Sequence, residues 1–154
     1  MKNLPFVLLL SLMLFAATIS AQSITHTYRF NTPVMTENED GTNAIEVPGC
    51  FNLGEEGTPL MPWFGADLLL PQGQEISSIK IVDVKYGKTI RNIHIMPAPG
   101  QFPISKGAPD GYKPIPVEEI YSSTQPYPAK AVDMQTTHFL AGHSIGSFGI
   151  CPVH

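Results

Sequence analysis

Hydrolytic chemistry needs a nucleophile with a base in reach. The chain of 154 residues offers Cys50 and Cys151 as nucleophiles and five histidines, His26, His94, His138, His143 and His154, as bases. Cys50 follows Pro48-Gly49 in a turn, Cys151 precedes Pro152 in a strand-like run, and neither stands in a nucleophile motif. His26 and His143 fall on strand faces, where a packed or surface histidine is the commoner case. No histidine pair has the spacing of a zinc-binding helix. Glu37, Glu39 and Asp40 carry oxygens suited to calcium, but the acid that closes an EF-hand loop is missing, and a solvated turn explains the same letters. Glu55 and Glu56 are adjacent, and neighbours on an extended chain point apart, so they do not form an acid–base pair. There is no glycine-rich phosphate loop. The residues therefore predict no catalytic group, no metal ligand and no cofactor, and a chain that is not itself an enzyme.

The basic residues say more. Pro97 to Pro128 holds eight of the fifteen prolines, and Lys106 and Lys113 lie within it, with Lys130 just beyond. Proline removes an amide donor and stops helices and central strands. The segment is read as an extended, stiffened excursion. A peptidase cleft reads a chain in that form, as an added strand with pockets for side chains, and a stiff loop loses less entropy on docking. The plainer readings are a crossover between two sheets and three solvated lysines. Trp63-Phe64 is the one aromatic pair that could stack on a sugar or anchor a partner. A sole tryptophan beside Phe64 and Leu68 reads more simply as core.

Residues 1–21 have one positive charge, Lys2, then an uncharged apolar run from Leu4 to Ile19, then small residues. This is the layout of a secretory signal peptide cleaved after Ala21, and the run is short for a spanning helix. The expected compartment is extracellular, by export through a bacterial envelope, with no membrane attachment after signal removal. Residues 22–154 then form one domain. Without Lys2, eight basic residues face thirteen acidic ones, a net charge of −5. That sign excludes nucleic acid and anionic membranes as partners. An exported protein can keep a disulfide, and Cys50–Cys151 would close a loop worth at most about 4.7 kcal/mol in the chain-entropy picture. Two buried free thiols are the alternative.

The positioning elements read as strands. Ile24, His26, Tyr28 and Phe30 alternate with polar residues over one half-buried strand. Asp40-Gly41 marks a tight hairpin turn. Ala44 to Val47 resumes an extended run that Pro48-Gly49 ends. Gly54 and Gly57 permit a reversal, Pro59 and Pro62 stiffen the lead-in, and a short strand follows at Ala66 to Leu70. Ile76 to Met96 reads as a β-hairpin turning at Gly87-Lys88. Val117 to Tyr121 has room for one helical turn. The last strand places Phe139, Ala141, His143 and Ile145 on one face. The sum is an all-β chain, an antiparallel, jelly-roll-like β-sandwich with a proline-rich excursion at 97–128. The final strand running into the chain end leaves room for last strands that this chain lacks.

Gly57, Pro59, Met61 and Pro62, followed by a short apolar strand and then Pro71 and Gly73, resemble the N-terminal propeptide of gingipain-type cysteine peptidases. Tyr127, Pro128, Gly142, Pro152 and Val153 continue the likeness, which spans Ile24 to Val153. The resemblance implies a secreted β-sandwich prodomain that assists folding of a cysteine peptidase catalytic domain and blocks its cleft, in cis or in trans. Ser147 and Gly149 stand where the family places bulky apolar residues. The family's catalytic histidine and cysteine belong to the peptidase domain and have no counterpart here. The competing reading is a free-standing exported sandwich that binds carbohydrate or protein.

Overall fold

The computed structural model describes residues 22–153 except Asn92. The signal-peptide assignment at 1–21 lies outside the described residues.

The described residues are all-β apart from one helical turn, in two antiparallel sheets, the sandwich-like class the alternation indicates. Strands β1 (Val34–Glu37) and β2 (Asn43–Glu46) form a two-stranded sheet. Strands β3 (Phe51–Leu53), β4 (Met61–Leu70), β5 (Val132–Leu140) and β6 (His143–Ile150) form a second sheet in the order β3-β4-β6-β5. The helical turn α1 (Glu118–Tyr121) lies where one turn was expected.

The β1–β2 turn closes as its letters indicate. Gly41 takes φ +80°, and the Asp40 carboxylate accepts from the Thr42 N–H at 3.0 Å and the Thr42 hydroxyl at 2.6 Å. Those two bonds hold the Asp40 carboxyl below its usual pKa, with the charge of Lys113 helping. The β5–β6 turn was not expected. Ala141 at φ 49° and Gly142 at φ 82° make a two-residue loop that pairs Leu140 with His143. The single terminal strand of the sequence reading is thus two strands. Alanine seldom adopts positive φ, so the letter at 141 gave no sign of a turn and the alternation ran on through it.

Strand β4 also starts earlier than expected, at Met61, and takes Pro62 and Trp63 into the sheet. Proline is accommodated because β4 pairs with β3 over 61–63 and with β6 only from Phe64 onward. At Pro62 one side of the strand needs no amide donor.

Along β4, Phe64, Ala66, Leu68 and Leu70 share a face with Ile150, Phe148, Gly146 and Ser144 of β6. Ala66 and Phe148 are buried there, and Tyr28 packs on Phe64 and Phe148 at ring centroids 5.8 and 6.2 Å. Phe30 meets Phe64 at 5.6 Å. The strand expected at Ile24–Phe30 does not form. Its aromatic residues lie over the face of the sheet, away from the edges where a ladder could be made. Ser144, fully buried, accepts the Gly73 N–H at 3.2 Å.

Among the described residues of Ile76–Met96 the expected hairpin is likewise not formed; Ile95 makes an isolated bridge to Asn43, and Pro97, just beyond, makes one to Pro59. A two-residue hairpin turn needs positive φ at its centre, and Gly87 is not among the residues that adopt it. Without that turn the apolar parity switch at Ile81-Val82 has no register to serve.

Gly146 is where β6 admits the chain after β4: a Cβ there would collide with the Ile76 side chain and come within 3.2 Å of Leu70 Cδ1. Gly146→Val is therefore expected to cost about 1–3 kcal/mol by overpacking, read from the urea midpoint. Ile76→Ala in the same chain should recover part of the loss. A Gly146→Val protein of unchanged stability would refute this packing.

Candidate functional site: a proline-rich loop clamped at Gly57

The segment Gly54–Gly65 does more than lead into β4. Thr58 N–H bonds back to the Glu55 carbonyl at 2.9 Å, and Gly57 turns the chain at φ +79°. Gly57, Thr58, Pro59, Met61 and Pro62 are all buried. The Gly57 N–H donates to the Ala98 carbonyl at 2.9 Å, and the Gly57 carbonyl accepts the Val117 N–H at 2.9 Å. One residue thus holds both ends of the stretch from Pro99 to Pro116. On either side the bonds continue: Ala98 N–H to the Thr58 carbonyl at 2.7 Å and Leu60 N–H to the Met96 carbonyl at 3.0 Å. A Cβ on Gly57 would strike the Ile115 carbonyl oxygen, so position and φ both demand glycine.

The loop so clamped has internal braces. The Tyr112 hydroxyl accepts the Gly100 N–H at 2.7 Å and donates to Glu56 Oε1 at 2.9 Å. Phe102 packs edge-on against Tyr112 at 4.7 Å. Pro103 to Gly107 forms a turn in which the Pro103 carbonyl accepts both the Lys106 and the Gly107 N–H at 3.0 Å. Beyond the loop, the Tyr121 hydroxyl donates to the Ile95 carbonyl at 2.9 Å and its ring lies against His94 at 5.0 Å. Burial pushes that hydroxyl's pKa up to about 12, and the neighbouring Tyr127 adds to it. It remains a donor at any ordinary pH.

Lys106 and Lys113 project from this one loop, and both are exposed. Lys130, also exposed, lies outside it, two residues before β5, so the structure joins two of the three lysines and not the third. Of the motif residues, Gly57, Pro59, Met61 and Pro62 form the clamp and the start of β4, whereas Pro71 and Gly73 form the turn after it. Trp63 and Phe64 are half-buried on opposite faces: Phe64 packs against Tyr28 and Phe30, and Trp63 lies over Gly149. They make no joint platform for a ligand.

Cys50 and Cys151 are free thiols. Burial pushes Cys151 up to about 11, its S–H donates to the Val153 carbonyl at 3.0 Å, and burial raises Cys50 as well. Both are protonated at neutral pH and poor nucleophiles. Register also assembles a trio that no sequence spacing could have suggested. The Ser147 hydroxyl donates to Asp67 Oδ1 at 2.5 Å and lies 3.5 Å from His138 Nδ1. In a hydrolytic triad the histidine stands between acid and nucleophile. Here the serine does, and its proton is committed to the carboxylate, so the trio supplies no general base. Among the described residues no group of three or more His, Cys, Asp or Glu side chains is placed to hold a metal. Among them, too, no helix is long and apolar enough to cross a membrane.

The fold and the site together define an all-β domain with a lysine-bearing loop pinned beside its four-stranded sheet. The chain belongs to the Propeptide_C25 family, whose model matches residues 9–154. Its fold is similar to that in the complex of Porphyromonas gingivalis RgpB pro- and mature domains, with a TM-score of 0.68 and 16% identity over 81% of this chain. It spans 64% of that chain. A structure of zymogenic gingipain K from Porphyromonas gingivalis is similar with a TM-score of 0.52 and 16% identity, over 78% of this chain and 68% of the other. No curated protein matches the chain.

Two outcomes follow from this geometry. Gly57→Ala should cost about 1–3 kcal/mol through its strained φ and should speed trypsin cleavage at Lys106; equal cleavage rates would show that Gly57 does not hold the loop. In the native protein iodoacetamide should modify half-buried Cys50 well before Cys151, which should label only on unfolding. Equal labelling rates would contradict the burial of Cys151.

Proposed function

We propose that this chain is the exported, non-catalytic prodomain of a gingipain-like cysteine endopeptidase, holding the peptidase domain latent and assisting its folding. The observation that carries the reading is the clamped loop of Pro99–Pro116, in a chain of the Propeptide_C25 family. Inhibition by a loop requires that the loop be ordered before it docks, because ordering on binding subtracts from affinity. Gly57, the Tyr112 braces and five prolines within Pro99–Pro116 supply that order.

The two lysines of the loop differ in a way that chooses between them. Lys106 sits in a hydrogen-bonded turn and cannot be read as an extended strand without breaking it. Lys113 precedes Pro114, which restrains it to extended geometry. The bond after Lys113 is also a tertiary amide without an N–H. Lys113 is thus the residue offered to a pocket for basic side chains, in a form suited to bind without rapid cleavage. Residues 1–21 would export the zymogen, which places its action outside the cytoplasm.

The test is inhibition of the mature domain of gingipain K by the purified chain. Lys113→Ala should raise the inhibition constant by about thirtyfold or more, the scale of a central anchor residue. Lys106→Ala should change it by about threefold at most. Loss of neither lysine altering inhibition would remove the loop from the cleft, and absence of inhibition by the unaltered chain would overturn the prodomain reading.

A further inference from the structure

Among the described residues from Ile76 to His94, hydrogen bonds to the rest of the fold are made at the two ends. The Ile76 N–H donates to Thr137 Oγ1 at 3.1 Å, and the His94 carbonyl accepts the Asn43 N–H at 2.6 Å. Every residue from Ile81 to Arg91 is exposed and none belongs to a ladder. The composition is nevertheless that of a strand: Ile79, Ile81, Val82, Val84, Tyr86 and Ile90 fall within twelve positions. Val82 is 83% and Tyr86 67% exposed. Single exposed apolar residues are ordinary, but a contiguous run of them marks an interaction surface.

The same stretch concentrates positive charge. Lys80, Lys85, Lys88 and Arg91 are four of the chain's nine basic residues, and Asp83 is the one acid among them. The stretch therefore carries +3 in a chain of total charge −4, leaving −7 elsewhere.

We propose that Ile79–Arg91 is a docking strand that adds to a carboxylate-flanked sheet edge of the peptidase domain, beside the cleft that the Lys113 loop enters. The proposal rests on the prodomain reading above. Three observations select this occupant. A pocket that accepts a lysine must itself present negative charge, so the partner's surface near its cleft has the sign that attracts this segment. The segment runs directly into the His94–Ala98 anchor from which the loop springs, so strand and loop reach the same partner. And four cations along one strand repel the same strand of a second copy, the device by which exposed edges avoid self-pairing. Unpaired backbone groups supply the hydrogen bonds of strand addition, and the alternating side chains supply its selectivity.

The test uses the whole chain, with the mature domain of gingipain K as probe. Inhibition constants are measured at about 50 and about 300 mM salt, with amide hydrogen exchange of 79–91 in the free chain and in the complex. The combined variant K80E/K85E/K88E/R91E should raise the inhibition constant at least about tenfold at low salt and flatten its salt dependence. The variant V82S/V84S should raise it about threefold or more at either salt, and amides 79–91 should gain protection in the complex. All six positions are exposed, so circular dichroism should show both variants folded. Should both inhibit like the unaltered chain, with exchange unchanged while Lys113→Ala still weakens inhibition, the docking strand is refuted and the prodomain reading stands. No inhibition by the unaltered chain refutes both. Concentration-dependent protection of 79–91 in the free chain, with a dimer in sedimentation, would make a second copy the occupant and overturn the proposal. So would retention of the unaltered chain, but not the charge variant, on anionic vesicles with inhibition unaffected.

Discussion

The peptide group of Gly57 is the constraint on which the arrangement depends. Its N–H and its carbonyl reach in opposite directions, to Ala98 and to Val117, and so fasten the two ends of an excursion that no strand or helix supports. Closing a loop costs entropy that grows only slowly with its length. The greater difficulty is keeping the residues inside it in one conformation. Proline lowers that cost by narrowing the unfolded ensemble, and the Tyr112 hydroxyl, bonded to Gly100 and Glu56, ties the middle of the loop to its base. Glu56 is adjacent to Gly57, so the brace and the clamp are consecutive residues. A Cβ at Gly100 would come within 2.9 Å of the Glu56 carboxyl and would make that side chain shift.

The clamp is also the start of the sheet. Thr58, Pro59, Met61 and Pro62 are buried immediately after Gly57, and β4 then crosses the middle of the molecule with β6 beside it. Loop position and core packing are therefore set by one stretch of chain. A shift of β4 in register would move the loop base by a whole residue, because side chains in a strand alternate with period two. This coupling explains why the loop can be long without being loose. Its anchor lies among buried residues such as Met61 and Ala98, 2% and 1% exposed.

What the amino-acid letters revealed depended on whether the chemistry was local. Asp40-Gly41 was legible because the turn is made by its own residues. The all-β class was legible from alternation, and Val117–Tyr121 as a single turn from the prolines around it. The β5–β6 hairpin was not, since Ala141 is an unusual residue for positive φ and the alternation on its two sides can be joined into one run. Ile76–Met96 was misread for the complementary reason. Its residues have every preference for a strand, but a strand is a relation between two segments, and the described chain offers this one no partner. The loop was visible as proline-rich, and Lys113 as a residue within it. The clamp was not, because Gly57, Ala98 and Val117 are far apart in sequence. The Asp67–Ser147–His138 trio depended on register across three strands in the same way.

The misreading of Ile76–Met96 and the placement of the lysines bear on one another. A folded chain that leaves Ile81, Val82, Val84, Tyr86 and Ile90 in water gives up stabilisation that burial would provide, at about 25 cal/mol per Å² of apolar surface. Retaining them is reasonable only where that surface is covered in the working state. The proline-rich loop shows the opposite economy. It exposes Ile104 and Ile115 at its surface, but its backbone is already fixed by Gly57 and by Tyr112. One segment thus brings order to the encounter and the other brings unspent pairing capacity and charge. The proposed function, in which the chain blocks a cleft and later leaves it, has use for that division. On that reading a rigid element would position one lysine, and a second segment would contribute affinity that salt or proteolysis can remove.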